Sequence, residues 1–178
     1  MNNTLGFVGG ALIHEQFIIH VNHYKNLVGK SVYLLAEDGS KTQRSITKKI
    51  QVSKGFNNGD LCLLKLNKPV CTKAHNIFNI VDIEEGEEVL IYRPQNYLLE
   101  PAIKKIFKAK NKFLLVVENK KREIIKGCSG HVWIKKGEDK KNLVSLTSFG
   151  RKGRAFGPFL FNFVEKINYF INNDKSQP

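Results

Sequence analysis

The chain has 178 residues, 42% of them hydrophobic, and its 29 Lys and Arg residues against 16 Asp and Glu residues give a formal net charge of +13. This apolar content excludes a disordered tail and is enough for one compact unit or two small barrels. No run of 18 or more apolar residues occurs, and the start MNNTLGFVGG lacks the basic segment and apolar core of a signal peptide, so we expect neither a membrane-spanning segment nor a secretory leader.

The cysteine count bears on the compartment. Cys62, Cys71 and Cys128 leave one thiol over under any pairing. Secreted domains of this size that depend on disulfides usually carry an even set. We therefore expect a reducing, intracellular compartment, while a leader removed from the chain would leave secretion open.

The positive charge comes mostly from lysines, and nine Lys or Arg residues lie between positions 101 and 126. Such a field attracts polyanions and acidic protein surfaces. The sequence has no arginine-rich tract and no base-stacking aromatic motif, so we favour a solvated lysine-rich surface. Nucleic acid stays open as a partner without support from a motif.

Short runs of β-type residues dominate the chain. In order, they are GFVGGALI, QFIIHV, SVYLLA, RSITKKIQV, LCLLKL, EEVLIYRP, KFLLVVE, HVWIKK, LVSLTSF and GPFLFNF. Turn signals such as EDGS, FNNGD and IEEGEE separate them. This spacing predicts an all-β sandwich or barrel.

One segment near the end breaks this pattern. In FVEKINYFINN, residues 163–173, apolar side chains recur at Phe163, Ile167, Phe170 and Ile171. This spacing places them on one face of a helix. We predict a C-terminal α-helix that packs on the β-structure.

The stretch KGCSGHVWI places a thiol, Cys128, beside a hydroxyl, Ser129, in a turn between Gly127 and Gly130. A nucleophilic serine needs a glycine-flanked turn of this kind. There its own N–H and that of the residue two before it, here Gly127, converge on a developing oxyanion. Taken alone, the stretch predicts no more than a β-turn.

Near the other end, GFVGGALIHEQFIIHVNHY closely resembles the segment that leads to the catalytic histidine of chymotrypsin-like serine proteases. There a Gly-Gly-Ser-Leu-Ile strand, a turn and a second strand end in Ala-Ala-His-Cys. The 13-residue step from Gly10 to His23 matches the family spacing without a gap. The resemblance therefore makes His23 the candidate base, whereas His20 lies three residues too early and is expected to be structural.

Two further segments resemble the same family. NGDLCLLKLNKPV is similar to the strand that carries the triad aspartate, and Asp60 falls on that position. In NLVSLTSFGRKGRAFGPFLFNF, residues Ser148, Phe149 and Gly150 take the Ser-Trp-Gly places, where the family's backbone pairs with an extended substrate. Gly157 matches the pocket-wall glycine, which leaves room for a long substrate group.

These segments occur in the family order, His, Asp, Ser. The resemblance implies two antiparallel six-stranded β-barrels, with His and Asp on residues 1–82. Residues 83–178 then carry the nucleophile and end in the helix over 163–173. It implies a serine endopeptidase that needs no metal or organic cofactor and acts on protein or peptide substrates. Spacing from Gly127 selects Ser129 as the nucleophile over Cys128, which is expected to be a small packing group.

The nucleophile turn departs from the family motif Gly-Asp-Ser-Gly-Gly at Cys128 and His131. In secreted members the aspartate pairs with a new N-terminal ammonium after the zymogen is cut. Here no Ile-Val-Gly-Gly activation sequence is present. We expect an enzyme without zymogen activation, its turn held by packing and hydrogen bonds. The alternative is a turn that collapses without its anchor, giving a weak or inactive binding module.

Specificity is the least constrained property. Glu123 stands six residues before the nucleophile, at the family's pocket floor, and a carboxylate there predicts cleavage after Lys or Arg. Glu123 is equally well interpreted as a surface residue. Lys126, Arg151 and Lys152 are expected near the rim of this pocket. There they would instead favour acidic residues elsewhere in the substrate. A further alternative, motivated by the charge, is a viral-type processing protease that also binds RNA.

Overall fold

A computed structural model describes residues 9–36, 38–92, 101–108, 111–120, 124, 129–137 and 139–175. These residues contain thirteen β-strands and one α-helix, α1 (Val164–Lys175). The strands are, in chain order, β1 (Ala11–His14), β2 (Phe17–Val21), β3 (Ser31–Leu35), β4 (Lys41–Gln51), β5 (Leu61–Leu66), β6 (Asn79–Ile80), β7 (Glu88–Ile91), β8 (Ala102–Lys108), β9 (Leu114–Glu118), β10 (Val132–Lys135), β11 (Asn142–Leu146), β12 (Phe149–Arg151) and β13 (Arg154–Pro158).

The strands form two sheets. The first has the order β1-β2-β5-β4-β3, and the second has the order β12-β13-β9-β8-β7-β10-β11-β6. All described pairings are antiparallel except that of β6 with β11. The all-β fold class with a C-terminal helix is confirmed, although the described strands divide five and eight rather than six and six. One reason is β6, which precedes the predicted boundary at residue 82 yet pairs with the second sheet.

The two sheets and the helix share one hydrophobic core. The first sheet contributes Ile19 and Leu63, the second contributes Ile134 and Leu143, and α1 contributes Ile167. Each of these side chains is at most 1% exposed. Burying one such side chain stabilises the fold by about 1.5–3 kcal/mol. This packing fixes the sheets against each other, so residues from both can form one site between them.

Helix α1 is tied to the first sheet by charge as well as by packing. The buried carboxylate of Asp174 forms ion pairs with Lys48 at 2.7 Å and Lys65 at 2.6 Å. Burial alone would raise the pKa of Asp174, but hydrogen bonds from the two lysines outweigh it and lower the pKa. The predicted helix over 163–173 is confirmed, with its start one residue later and its end two residues later. Neither this helix nor any other in the described ranges is long and apolar enough to cross a membrane.

Candidate active site

His23 and Asp60 meet because the strands beside them are paired. His23 follows β2 and Asp60 precedes β5, and these antiparallel strands place Val21 opposite Leu61. The end of one strand therefore lies beside the start of the other. His23 Nδ1 lies 2.5 Å from Asp60 Oδ2, and the Asn22 N–H donates to the Asp60 carbonyl at 2.9 Å. The structure thus brings together the first two residues predicted from the sequence.

The Asp60 carboxylate is buried, with 2% of the residue exposed, and it accepts from a second side chain. The Ser148 hydroxyl donates to Asp60 Oδ2 at 2.6 Å. Asp60 has a φ of +48°, a left-handed backbone conformation that Asp and Asn adopt more readily than most residues. The Ser148 hydrogen bond holds the carboxylate in place. The carboxylate in turn fixes the orientation of the His23 ring, with Nδ1 toward Asp60 and Nε2 directed away.

The turn that carries His23 is clamped by Lys49 from β4. Its ammonium donates to the carbonyls of Asn22 at 2.8 Å and Tyr24 at 2.6 Å, one on each side of the histidine. The rings of Tyr24 and Phe56 flank the imidazole at centroid distances of 4.6 and 5.5 Å. Sequence reasoning did not identify Lys49 or Phe56, because nothing in TKKIQV or GFNNG marks a contact with a residue so far away along the chain.

His20 contacts the ring of Tyr24, at a centroid distance of 5.5 Å. It is 3% exposed, and its Nδ1 lies 2.6 Å from the Val21 carbonyl, to which it donates. Burial lowers the pKa of His20 to about 4, so the ring is neutral at pH 7. This agrees with the structural role expected from its position three residues before His23.

Hydrogen bonds through Ser148 connect Ser129 to Asp60. Its half-buried hydroxyl donates to the Ser148 carbonyl at 3.4 Å, a long and weak hydrogen bond. Within the described part of the chain, no hydrogen bond joins the Ser129 hydroxyl to the His23 ring. Ser148 therefore contacts both Asp60 and Ser129. The other predicted residues of this region, Gly127, Cys128, Lys126 and Glu123, lie outside the described residues.

The end of the glycine-flanked turn after Ser129 is held by hydrogen bonds to the segment before Ser148. The Gly130 N–H donates to the Thr147 carbonyl at 2.7 Å, and the Thr147 N–H donates to the His131 carbonyl at 2.8 Å. The indole N–H of the buried Trp133 donates to the Thr147 hydroxyl at 2.8 Å. Gly130 has a φ of +84°, and a Cβ built on it would lie 2.0 Å from the Gly9 carbonyl oxygen. Packing and hydrogen bonds thus restrain residues 129–131, the described end of the turn, and the expectation of an enzyme without zymogen activation stays a prediction.

We expect Gly130→Ala to lower the free energy of unfolding by about 3 kcal/mol, from left-handed strain and overpacking together. Gly86→Ala is the matched control, because its φ is +90° but nothing lies within 4 Å of the added Cβ. The control is expected to cost about 1 kcal/mol. Urea unfolding of both variants measures the difference. Equal losses would show that the Gly9 contact does not restrain the turn.

Strand β12 lies at the edge of the second sheet as the described residues form it. It carries Phe149 and Gly150, two residues predicted to bind substrate. The Phe149 ring stacks on Phe156 with a centroid distance of 4.6 Å and an angle of 2° between planes. Phe56 contacts Phe149 at 5.1 Å, so aromatic rings connect β12 to His23. Among the described strands β12 has no partner on its outer side, and an edge of this kind is a suitable surface for adding a peptide strand.

Gly157 is buried in β13, where its lack of a side chain serves packing. A Cβ there would lie 2.2 Å from the Leu146 carbonyl oxygen and 2.2 Å from the Ser145 hydroxyl oxygen. Gly157 pairs with Leu115 of β9 and therefore lies inside the sheet. The predicted contact of Gly157 with substrate stays a prediction.

The side chains described here suit acid–base and nucleophilic chemistry. They combine a hydroxyl, an imidazole and a carboxylate that orients the imidazole. In the part of the chain that the structure describes, no group of three or more His, Cys, Asp or Glu residues is placed to hold a metal ion.

Solved structures share this architecture over nearly the whole chain. A mutant of human heparin binding protein has a TM-score of 0.74 and 19% identity, covering 96% of this chain and 88% of that protein. Kallikrein-related peptidase 10 has a TM-score of 0.71 and 16% identity, covering 96% and 92%. A scabies mite inactivated protease paralogue has a TM-score of 0.71 and 13% identity, covering 93% and 88%. No protein-family model and no curated protein matches the sequence.

These likenesses establish the chymotrypsin-like serine protease fold for this chain. The fold that the sequence segments predicted is thereby confirmed. At identities of 13 to 19%, the likeness extends to the fold alone. Activity has to be argued from the site itself.

Proposed function

We propose that this protein is a serine endopeptidase whose nucleophile is Ser129, whose general base is His23 and whose orienting carboxylate is Asp60. The observation that carries the proposal is the 2.5 Å hydrogen bond between His23 and the buried Asp60, beside a hydroxyl in a glycine-flanked turn. The order of these residues along the chain and the fold support it.

The proposed reaction is acyl transfer. His23 Nε2 accepts the Ser129 proton as Ser129 Oγ attacks the substrate carbonyl, and the imidazolium then returns the proton to the leaving amine. Asp60 stabilises the imidazolium. The resemblance assigns the oxyanion to the N–H groups of Gly127 and Ser129. Before attack, the Ser129 hydroxyl has to leave the Ser148 carbonyl, and a 3.4 Å hydrogen bond offers little resistance.

The proposed substrates are proteins or peptides that bind as a strand along β12, next to Phe149 and Gly150. Cleavage after Lys or Arg rests on Glu123 as the pocket floor, and it stays a prediction from the sequence. So does the rim role of Lys126. A reducing, intracellular location likewise stays a prediction.

A second candidate is a protein that binds peptides on the same fold without cleaving them. The observation in its favour is that the Ser129 hydroxyl donates to Ser148 rather than to His23. The scabies mite protein that shares this fold is, as its name states, an inactivated protease paralogue. In this case the β12 edge would bind a peptide and release it intact.

A fluorophosphonate probe separates the two candidates. Such probes phosphonylate only a serine that an adjacent base activates. We expect the native protein to take up one equivalent, with the adduct on Ser129 in peptide mass spectra, and the heat-unfolded protein to take up none. Absence of labelling of the native chain over pH 6 to 9 would favour the binding protein.

A further inference from the structure

A cationic depression lies at the far end of β12 from the candidate active site. Its volume is about 340 Å³, and it is lined by Arg151, Lys152, Arg154 and Phe156. The three basic side chains are exposed, and none forms an ion pair with an acidic residue of the described chain. The cross-strand neighbour of Arg154 is Glu118, whose carboxylate pairs with Lys120 at 3.3 Å. The three basic side chains that line the depression therefore have no ion-pair partner among the described residues.

The strand register places two phenylalanines and two arginines on one face of this hairpin. Phe149 pairs with Phe156, and Arg151 pairs with Arg154. Side chains two residues apart in a strand point to the same side, so all four share one face. The stacked phenylalanines lie nearer His23, which they reach through Phe56. The arginines lie farther away, so an apolar patch is followed by a cationic one.

A peptide added to the edge of β12 would cross both patches. Antiparallel addition is the commoner arrangement, and it continues the pairing of β12 with β13. A peptide running antiparallel to β12 has its N-terminal part beside Arg151 and its reacting carbonyl near Ser148. Arg151 lies three residues beyond Ser148, about 10 Å along an extended strand. With the residue before the scissile bond opposite Ser148, the fourth residue before the bond lies opposite Arg151.

We propose that the β12–β13 hairpin makes this protein selective for peptides with Asp or Glu four residues before the scissile bond. The inference rests on the proposed endopeptidase function and specifies its substrate class. Arg151 and Arg154 are cross-strand partners on one face of the hairpin, and guanidinium groups bind a carboxylate through paired, charge-assisted hydrogen bonds. Lys152 adds positive charge at the same rim.

The test uses internally quenched peptides that are identical except for Glu, Gln or Lys at that fourth position, with cleavage sites mapped by mass spectrometry. We expect kcat/KM for the Glu peptide to exceed that for the Gln peptide by roughly tenfold, and the Lys peptide to be the poorest. Because the arginines are exposed, the ratio should shrink when salt rises from about 0.05 to 0.5 M. Equal values for Glu and Gln would overturn the inference.

Variants then assign the preference to the hairpin. In the double variant Arg151→Gln, Arg154→Gln, the Glu/Gln ratio is expected to fall to about one. The conservative variant Arg151→Lys, Arg154→Lys should keep part of the preference. The matched control is Lys68→Gln, Lys73→Gln, which removes the same charge from an exposed loop and should leave the ratio unchanged. A ratio that survives loss of both arginines would place the selectivity elsewhere.

Failure of the function and failure of the inference give different results. If no peptide is cleaved and the probe does not label Ser129, the endopeptidase proposal fails. The same Glu and Gln peptides, labelled with a fluorophore, are then titrated with the protein by fluorescence anisotropy. Tighter binding of the Glu peptide, lost in the double glutamine variant, would uphold the acidic preference for a binding protein. Equal affinities would overturn it.

Discussion

Replacing Ser129 with alanine is expected to lower kcat for peptide hydrolysis roughly a millionfold, to the level left by binding and oxyanion stabilisation alone. The alanine removes the atom that forms the acyl-enzyme, and the neighbouring Ser148 hydroxyl is buried and already donates to Asp60. KM should change little, because the hydroxyl contributes to the reaction more than to binding. Steady-state rates on a cleaved peptide, with the probe used to count active sites, measure the loss.

Cys128→Ser is the control for this variant, because it changes the neighbouring thiol in the same turn. If Cys128 is a packing group, kcat should stay within about threefold of the wild-type value. The reverse result, with activity surviving in Ser129→Ala and lost on changing Cys128, would identify the thiol as the nucleophile. Loss of activity in both variants, with Ser129→Ala still folded, would indicate that the whole turn is sensitive to packing.

The site shows which contacts a sequence pattern can reveal. His23 and Asp60 were predictable because each adjoins a strand with a recognisable motif, and the pairing of β2 with β5 brings the strand ends together. The hydrogen bonds from Ser148 to Asp60 and from Lys49 to the His23 turn were not predicted. Each joins residues from segments whose approach depends on how the sheets fold, so no local pattern encodes it.

Strand β8 was not predicted, because its apolar and polar residues do not alternate along the sequence. The segment of β8, AIKKIFK, was taken only as part of a basic block. In it Ala102 and Ile106 are buried, whereas Ile103 and Phe107 are 53% and 44% exposed. The apolar residues recur four positions apart, a spacing that favours a helix, although burial along the strand alternates as in a sheet. Pairing with β7 and β9, rather than patterning, makes this segment a strand.

The opposite error occurred at GPFLFNF, which was predicted to be a strand. Only Gly157 and Pro158 belong to β13, and Leu160–Phe163 forms a 3-10 helix. Leu160 and Phe163, three residues apart, are buried, while Phe161 is 45% exposed. Short apolar runs do not distinguish a strand from a helical turn, and the preceding proline, which has no N–H, favours the end of a strand.

Asp60→Asn is expected to lower kcat about ten-thousandfold while the protein stays folded. Asparagine keeps the shape of the side chain and tolerates a φ of +48°, so the backbone does not have to move. Its amide N–H, however, can donate to His23 Nδ1, which moves the ring proton to Nε2. An imidazole protonated at Nε2 cannot accept the Ser129 proton. Steady-state kcat and the rate of fluorophosphonate labelling should therefore fall together.

Stability and a second aspartate separate this role from a structural one. Asp60→Asn should lower the free energy of unfolding by less than about 2 kcal/mol, because the Ser148 hydroxyl, which contacts the same Oδ2 as His23, can turn and accept from the second amide N–H. Asp139→Asn makes the same chemical change at an exposed turn and should alter neither rate nor stability. If Asp60→Asn unfolds the chain, or if it leaves kcat within tenfold of the wild-type value, the buried carboxylate holds the two sheets together rather than orienting the base.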